Sequence, residues 1–154
     1  MIKNTIYTFI LLLLMSCTSL NSIDTKSNNY IGKLLFGYKD DFASFNININ
    51  LSKNNSIIQI NKLFYGNVLN IKAYRNQDIF ISPLNYTELI KIPNLINKNF
   101  HDWITNCLLK EKFEIVKIED DFSFKLTCNK NEGKTFYKIR FQEYLLEGYI
   151  IKKK

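Results

Sequence analysis

Residues 45–51 read Phe45-Asn46-Ile47-Asn48-Ile49-Asn50-Leu51, and this stretch decides the fold. Apolar and amide side chains alternate without a break. Successive side chains of a strand point to opposite faces, so a period of two puts Phe45, Ile47, Ile49 and Leu51 on one face and the three asparagines on the other. A helix, with its period of 3.6, would scatter both sets around its axis. The stretch is a strand with one dry face and one wet face.

The same signature recurs on both sides of it. Residues 30–38 predict a preceding strand. Lys53-Asn54-Asn55 is a turn, and residues 56–62 follow with Ile58 and Ile60 on one face. Residues 63–67 read as a hairpin tip in which Gly66-Asn67 supplies the turn. Residues 68–74 alternate through Leu69, Ile71 and Ala73, and residues 78–82 carry Ile79 and Ile81. Further on, 113–119, 122–128, 134–141 and 144–151 predict four more strands. In the second of these Phe122, Phe124, Leu126 and Cys128 share a face. The expected total is about nine to eleven strands.

The pattern changes at Ser82-Pro83. Serine at an N-cap with proline at the first helical position predicts a short helix over 83–91. A second helix is predicted with Asn99 as its cap. Phe100, Trp103, Ile104, Cys107 and Leu108 then fall on one face at helical spacing. The expected fold is mainly β with a helical insert: a curved antiparallel sheet with helices against one side. Such a sheet either fills its inner face or keeps a cavity. The inner-face candidates are Phe45, Ile47, Ile49, Ile58, Ile60, Leu69, Ile71, Ile79, Ile81 and Trp103. No polar group recurs among them, so any ligand would be apolar, such as acyl chains.

Composition agrees. The chain has 154 residues with 22 Ile against only two Ala, which favours strands over a helical bundle. Aromatics at 14% exclude a disordered chain. The 20 Asn and 19 Lys read as the coding bias of an AT-rich genome rather than as function. The formal net charge of +7 could suit anionic lipid or an acidic partner.

The first residues form a leader. Residues 1–4 carry one positive charge, residues 5–15 are an apolar run too short to span a bilayer, and Leu14-Met15-Ser16-Cys17 resembles a bacterial lipobox. That resemblance implies cleavage before Cys17, lipidation of Cys17, and retention in the outer membrane because Thr18 follows rather than Asp. The expected organisation is a signal peptide over 1–16, a lipidated polar tether over 17–29 and one β domain over 30–154. Export removes nucleic acid from the list of partners.

Candidates for chemistry are few. His101 is the sole histidine and reads as a partly exposed structural residue. It forms no dyad with Asp102, because adjacent helical residues do not face each other. Glu119, Asp120 and Asp121 sit where a hairpin turn is expected. No Gly-rich phosphate loop, zinc spacing or nucleophile elbow occurs, so neither enzyme activity nor a cofactor is expected. Cys107 and Cys128 both lie on apolar faces. A bridge between helix and sheet is geometrically open to them, but free buried thiols are the favoured reading.

Two segments carry a family resemblance. IQINKLFYGNVLNIK, residues 58–72, is similar to the segment of the LolB outer-membrane lipoprotein receptors in which two strands meet at an apolar tip. Leu63 or Phe64 stands for the family's leucine and Gly66 for its glycine. FHDWITNCL, residues 100–108, is similar to the family's Trp-containing helix. The chain thus resembles a divergent, shortened member of the LolA/LolB-like family. The resemblance implies a half-open β-barrel with helices over its opening. It also implies a monomer whose cavity takes acyl chains of lipoproteins from a LolA-like periplasmic carrier. Its tip, here Leu63, Phe64 and Tyr65, would insert them into the inner leaflet of the outer membrane. The competing expectation is an assembly lipoprotein with a filled core.

Overall fold

The computed structural model describes residues 27–83, 92–119 and 122–154. They form β1 (Asn28–Tyr38), β2 (Asp41–Leu51), β3 (Asn55–Lys62), β4 (Gly66–Tyr74), β5 (Phe80–Ser82), α1 (Asn94–Leu109), β6 (Lys112–Glu119), β7 (Phe122–Asn131), β8 (Lys134–Phe141) and β9 (Tyr144–Lys152). All nine strands belong to one antiparallel sheet in the order β5-β4-β3-β2-β1-β9-β8-β7-β6. The fold is mainly β with one helix among the described residues, inserted between the fifth and sixth strands as expected. No described helix is long and apolar enough to cross a membrane.

The centre of the sheet is the seam between β1 and β9, where Tyr30 faces Lys152 and Tyr38 faces Tyr144. Two meanders run outward from that seam, and β5 and β6 are the edges of the sheet among the described residues. The register carries the alternation of residues 45–51 across the sheet. Ile49 lies beside Tyr30 and Ile58, and Ile58 beside Ile71. The asparagines lie on the other face, where Asn48 is beside Gln59.

The sheet is strongly curled. Helix α1 packs against β3 and β4 and also against β6, β7 and β8. In a flat sheet β4 and β6 would be about 34 Å apart at the usual strand spacing. A 16-residue helix is only about 24 Å long, so the sheet must wrap around it. Two glycines at the seam permit the bend. A Cβ on Gly32 would overlap the Tyr149 carbonyl oxygen, and one on Gly148 would overlap the Lys33 carbonyl oxygen. The backbones of β1 and β9 approach closely because these two positions lack side chains. The Tyr137 hydroxyl donates to that same Lys33 carbonyl at 3.1 Å.

Three local expectations are corrected. Helix α1 starts at Asn94 with Pro93 as its cap, not at Asn99. Asn99 lies inside the helix and donates back to the Leu95 carbonyl at 2.8 Å. The extra turn buries Ile96, four residues before Phe100 on the apolar stripe, and that burial outweighs the capping preference of Asn99. Gly66 and Asn67 both belong to β4, because the tip turn is made by Leu63, Phe64 and Tyr65. Ile79 precedes β5, which begins at Phe80. The helix expected over 83–91 falls, apart from Pro83, outside the described residues, as do Asp120 and Asp121.

Candidate functional site

The site is the inner face of the sheet together with α1. Strands β2, β3 and β4 contribute Ile47, Ile49, Ile58, Ile60 and Ile71, and the helix contributes Phe100, Ile104 and Leu108. Between them lies a cavity of about 70 Å³ with no polar surface. Drug-sized ligands occupy roughly 300–1,000 Å³, so the cavity in this arrangement holds no acyl chain. An apolar void of this kind favours no water, because water there has no partner.

Helix α1 is held differently along its length. Near its C-terminus, Cys107 is joined to Cys128 of β7 by a disulfide with Cα atoms 5.4 Å apart. This corrects the expectation of free thiols. The two apolar faces carrying these residues are pressed together, and their side chains meet there. In the middle, His101 is only 1% exposed, which corrects the expectation of a partly exposed residue. Its Nε2 lies 3.3 Å from the Lys53 carbonyl and its Nδ1 3.4 Å from Ser56 Oγ. A carbonyl only accepts, so Nε2 carries the proton shared with Lys53. Polar contacts hold Asn97 near the start of the helix and Asp102 just past its middle. Asn97 Oδ1 accepts from the Ile79 N–H at 2.6 Å, Asn97 Nδ2 donates to Asp78, and Asp102 pairs with Arg75 at 3.1 Å.

The β3–β4 tip projects from the same two strands that line the cavity. Leu63, Phe64 and Tyr65 are 67%, 95% and 76% exposed. The turn is closed by the Tyr65 N–H donating to the Lys62 carbonyl at 3.1 Å. Phe64 occupies its third position with φ +67°, where glycine or asparagine is usual. A bulky residue in the left-handed region is strained by about 1–2 kcal/mol. The Lys62 ammonium sits 5.3 Å from the Tyr65 ring centre, so the tip combines apolar tips with a cation on an aromatic face.

The sequence-predicted residues divide into groups. Ile47, Ile49, Ile58, Ile60 and Ile71 line the cavity together. Phe45 and Leu69 are half-buried on the same face, packed against the core beyond the cavity. Ile81 is buried on β5 but does not reach the cavity, and Ile79 contributes its backbone N–H to the helix contact. Trp103 is also displaced from its expected place: it stacks on Phe124 at 5.2 Å and faces a groove beside β6. Cys17 lies outside the described residues. Sequence reasoning missed the second half of the lining, namely Leu34, Leu126, Tyr137, Ile139, Leu146 and Ile150. Their alternation was readable, but their meeting with β2–β4 across the curled sheet was not. Burial raises the Tyr137 phenol well above the ordinary tyrosine value, and that of Tyr30 also rises.

Neither the protein-family models nor the curated proteins contain a match to this chain.

Proposed function

We infer that this chain is a lipid-handling receptor anchored through Cys17 to the inner leaflet of the outer membrane. In this reading the sheet is a half-open barrel and α1 covers its opening. Acyl chains of lipoproteins pass from a LolA-like carrier to the inner face, and the tip delivers them to the bilayer. The protein works as a monomer with no cofactor, no nucleic acid and no covalent chemistry. The observation that carries the reading is the continuity of β3 and β4: one hairpin lines an apolar cavity and ends in three exposed apolar side chains. Such side chains cost free energy in water and gain it at a bilayer interface. Transfer requires the cavity to hold acyl chains more strongly than the carrier and less strongly than the membrane. Enlarging the cavity requires α1 to move. The disulfide keeps its C-terminal end on β7, so the movement is of its N-terminal turns.

The test is to mix the full chain with a carrier–lipoprotein complex and follow the lipoprotein. The expected result is transfer to the receptor and then to added vesicles. The variant Phe64→Glu should accept lipoprotein and fail to insert it, because a carboxylate opposes entry into hydrocarbon. Absence of transfer by folded protein removes the reading.

The small cavity volume favours a second reading, an assembly lipoprotein with a filled core acting through surface contacts. A fluorescent fatty acid distinguishes the two: binding supports the receptor, and a saturable signal should disappear when the cavity is filled by Ile60→Phe.

A further inference from the structure

The two edges of the sheet are unequal. β5 has three residues, too few to template another strand, whereas β6 has eight. The Lys130 N–H donates to the Glu111 carbonyl at 2.8 Å. Residues opposite each other in an antiparallel pair alternate between exchanging backbone hydrogen bonds and facing away. Counting from that bond, Phe113, Ile115 and Lys117 direct their backbone toward β7. Lys112, Glu114, Val116 and Ile118 direct theirs to the open edge.

The side chains at this edge are unusual for an exposed strand. Val116 is 49% exposed and Ile118 is 77% exposed on the convex face. Along the edge a groove of about 420 Å³ separates β6 from α1, lined by Leu95, Asn99 and Trp103 of the helix and by Glu114, Ile115, Val116 and Lys117 of the strand. The Glu114 carboxylate is paired with Lys125 at 2.7 Å, so Lys117 carries the charge that the groove presents to an incoming side chain. It lies on a different helix face from the apolar cavity, which is lined by Phe100 and Ile104. The edge thus offers backbone groups that no described strand pairs, the apolar side chains of Val116 and Ile118, and a trough of ligand-pocket size holding the Lys117 ammonium.

We propose that β6 and this groove bind an extended peptide of a partner protein as a tenth, antiparallel strand. The peptide carries apolar side chains against Val116 and Ile118, an apolar side chain against Ile115 and Trp103, and an acidic side chain opposite Lys117. Backbone hydrogen bonds supply affinity in such strand addition and the alternate side chains supply selectivity. A second copy is a poorer occupant. The longest edge-to-edge registers that keep convex face to convex face set Lys117 against Phe113 or Ile115 of the other copy. An inward charge of this kind discourages self-pairing. It accepts a partner strand that brings a carboxylate.

The probe is a synthetic eight-residue peptide with valine opposite Ile115, Val116 and Ile118, glutamate opposite Lys117 and threonine at the other positions. It is titrated into the full chain in lipid nanodiscs, and binding is read by anisotropy and by amide exchange over residues 112–119. The expected result is saturable binding and at least tenfold slower exchange in that segment. Methylating the peptide's edge-facing amides should abolish binding. Val116→Pro should lower affinity at least tenfold without unfolding the protein, because the lost N–H faces the edge. Lys117→Glu should invert the preference toward a peptide carrying lysine. The proposal is overturned by absence of binding at millimolar peptide, or by binding that survives Val116→Pro. It is also overturned by slowed exchange in the same segment that rises with protein concentration alone, which would make a second copy the occupant.

Discussion

Cys107 of α1 and Cys128 of β7 are covalently joined across the interface between helix and sheet, with their Cα atoms 5.4 Å apart. The bond fixes one end of the helix, and the helix is the element that closes the inner face. It joins residues separated by 21 positions, so it removes a loop of that size from the freedom of the unfolded chain. Replacing both cysteines by alanine should cost about 3 kcal/mol of unfolding free energy by the loop-closure argument. Urea denaturation with and without reductant measures it. An unchanged midpoint, with two thiols titrating in the oxidised protein, would refute the bond.

Phe64 combines near-complete exposure with a left-handed backbone. Phe64→Gly relieves the strain and should raise stability by about 0.5–1 kcal/mol, net of the greater freedom of glycine when unfolded. The same change should weaken binding to phospholipid vesicles several-fold. The two effects have opposite signs, and thermal melting with vesicle co-sedimentation reads both. Loss of stability would mean that the ring packs on the fold.

Gly148 has no room for a methyl group, since a Cβ there meets the Lys33 carbonyl. Gly148→Ala must separate β1 from β9 and displace the Tyr137 hydroxyl. A cost of about 3 kcal/mol is expected, at the upper end for overpacking. Gly133→Ala is the control, because it sits in a turn with nothing near its Cβ and is strained only by its positive φ. Its cost should be about 1 kcal/mol. Equal costs would remove the close approach as the cause of the bend.

Tyr137 and Tyr30 ionise less readily in the folded protein than in the unfolded chain, because burial disfavours the phenolate. Above a pH of about 10 the unfolded tyrosine loses its proton first. The native state then binds more protons than the unfolded one, so stability falls as pH rises. Below that pH the contribution is fully present. For Tyr137 the slope approaches about 1.4 kcal/mol per pH unit, and Tyr30 adds to it in the same direction. Tyr137→Phe should flatten the decline between pH 10 and 12 and remove about 1 kcal/mol at neutral pH through the lost bond to Lys33. An unchanged slope would place the effect elsewhere.

The sequence by itself determined the strands, their faces and the position of the helical insert. The reason is that side-chain direction depends on the nearest neighbours alone: Ile47 and Ile49 share a face wherever β2 lies. It also marked Leu63, Phe64 and Tyr65 as a tip out of character with water. Only the tertiary structure decided which faces meet. The bond from Tyr137 to Lys33 spans 104 residues, and the seam it seals sets the curl that brings Leu126 and Ile139 opposite Ile49 and Ile60. That curl presses Cys107 onto Cys128, buries His101 against Ser56, and turns Trp103 toward the groove of β6 instead of the cavity. The start of α1 belongs to the same class. Asn99 is the better cap by its own chemistry, and Pro93 prevails because the extra turn buries Ile96 against the sheet. Local periodicity cannot carry such information, since it arises from packing between segments that are distant in the chain.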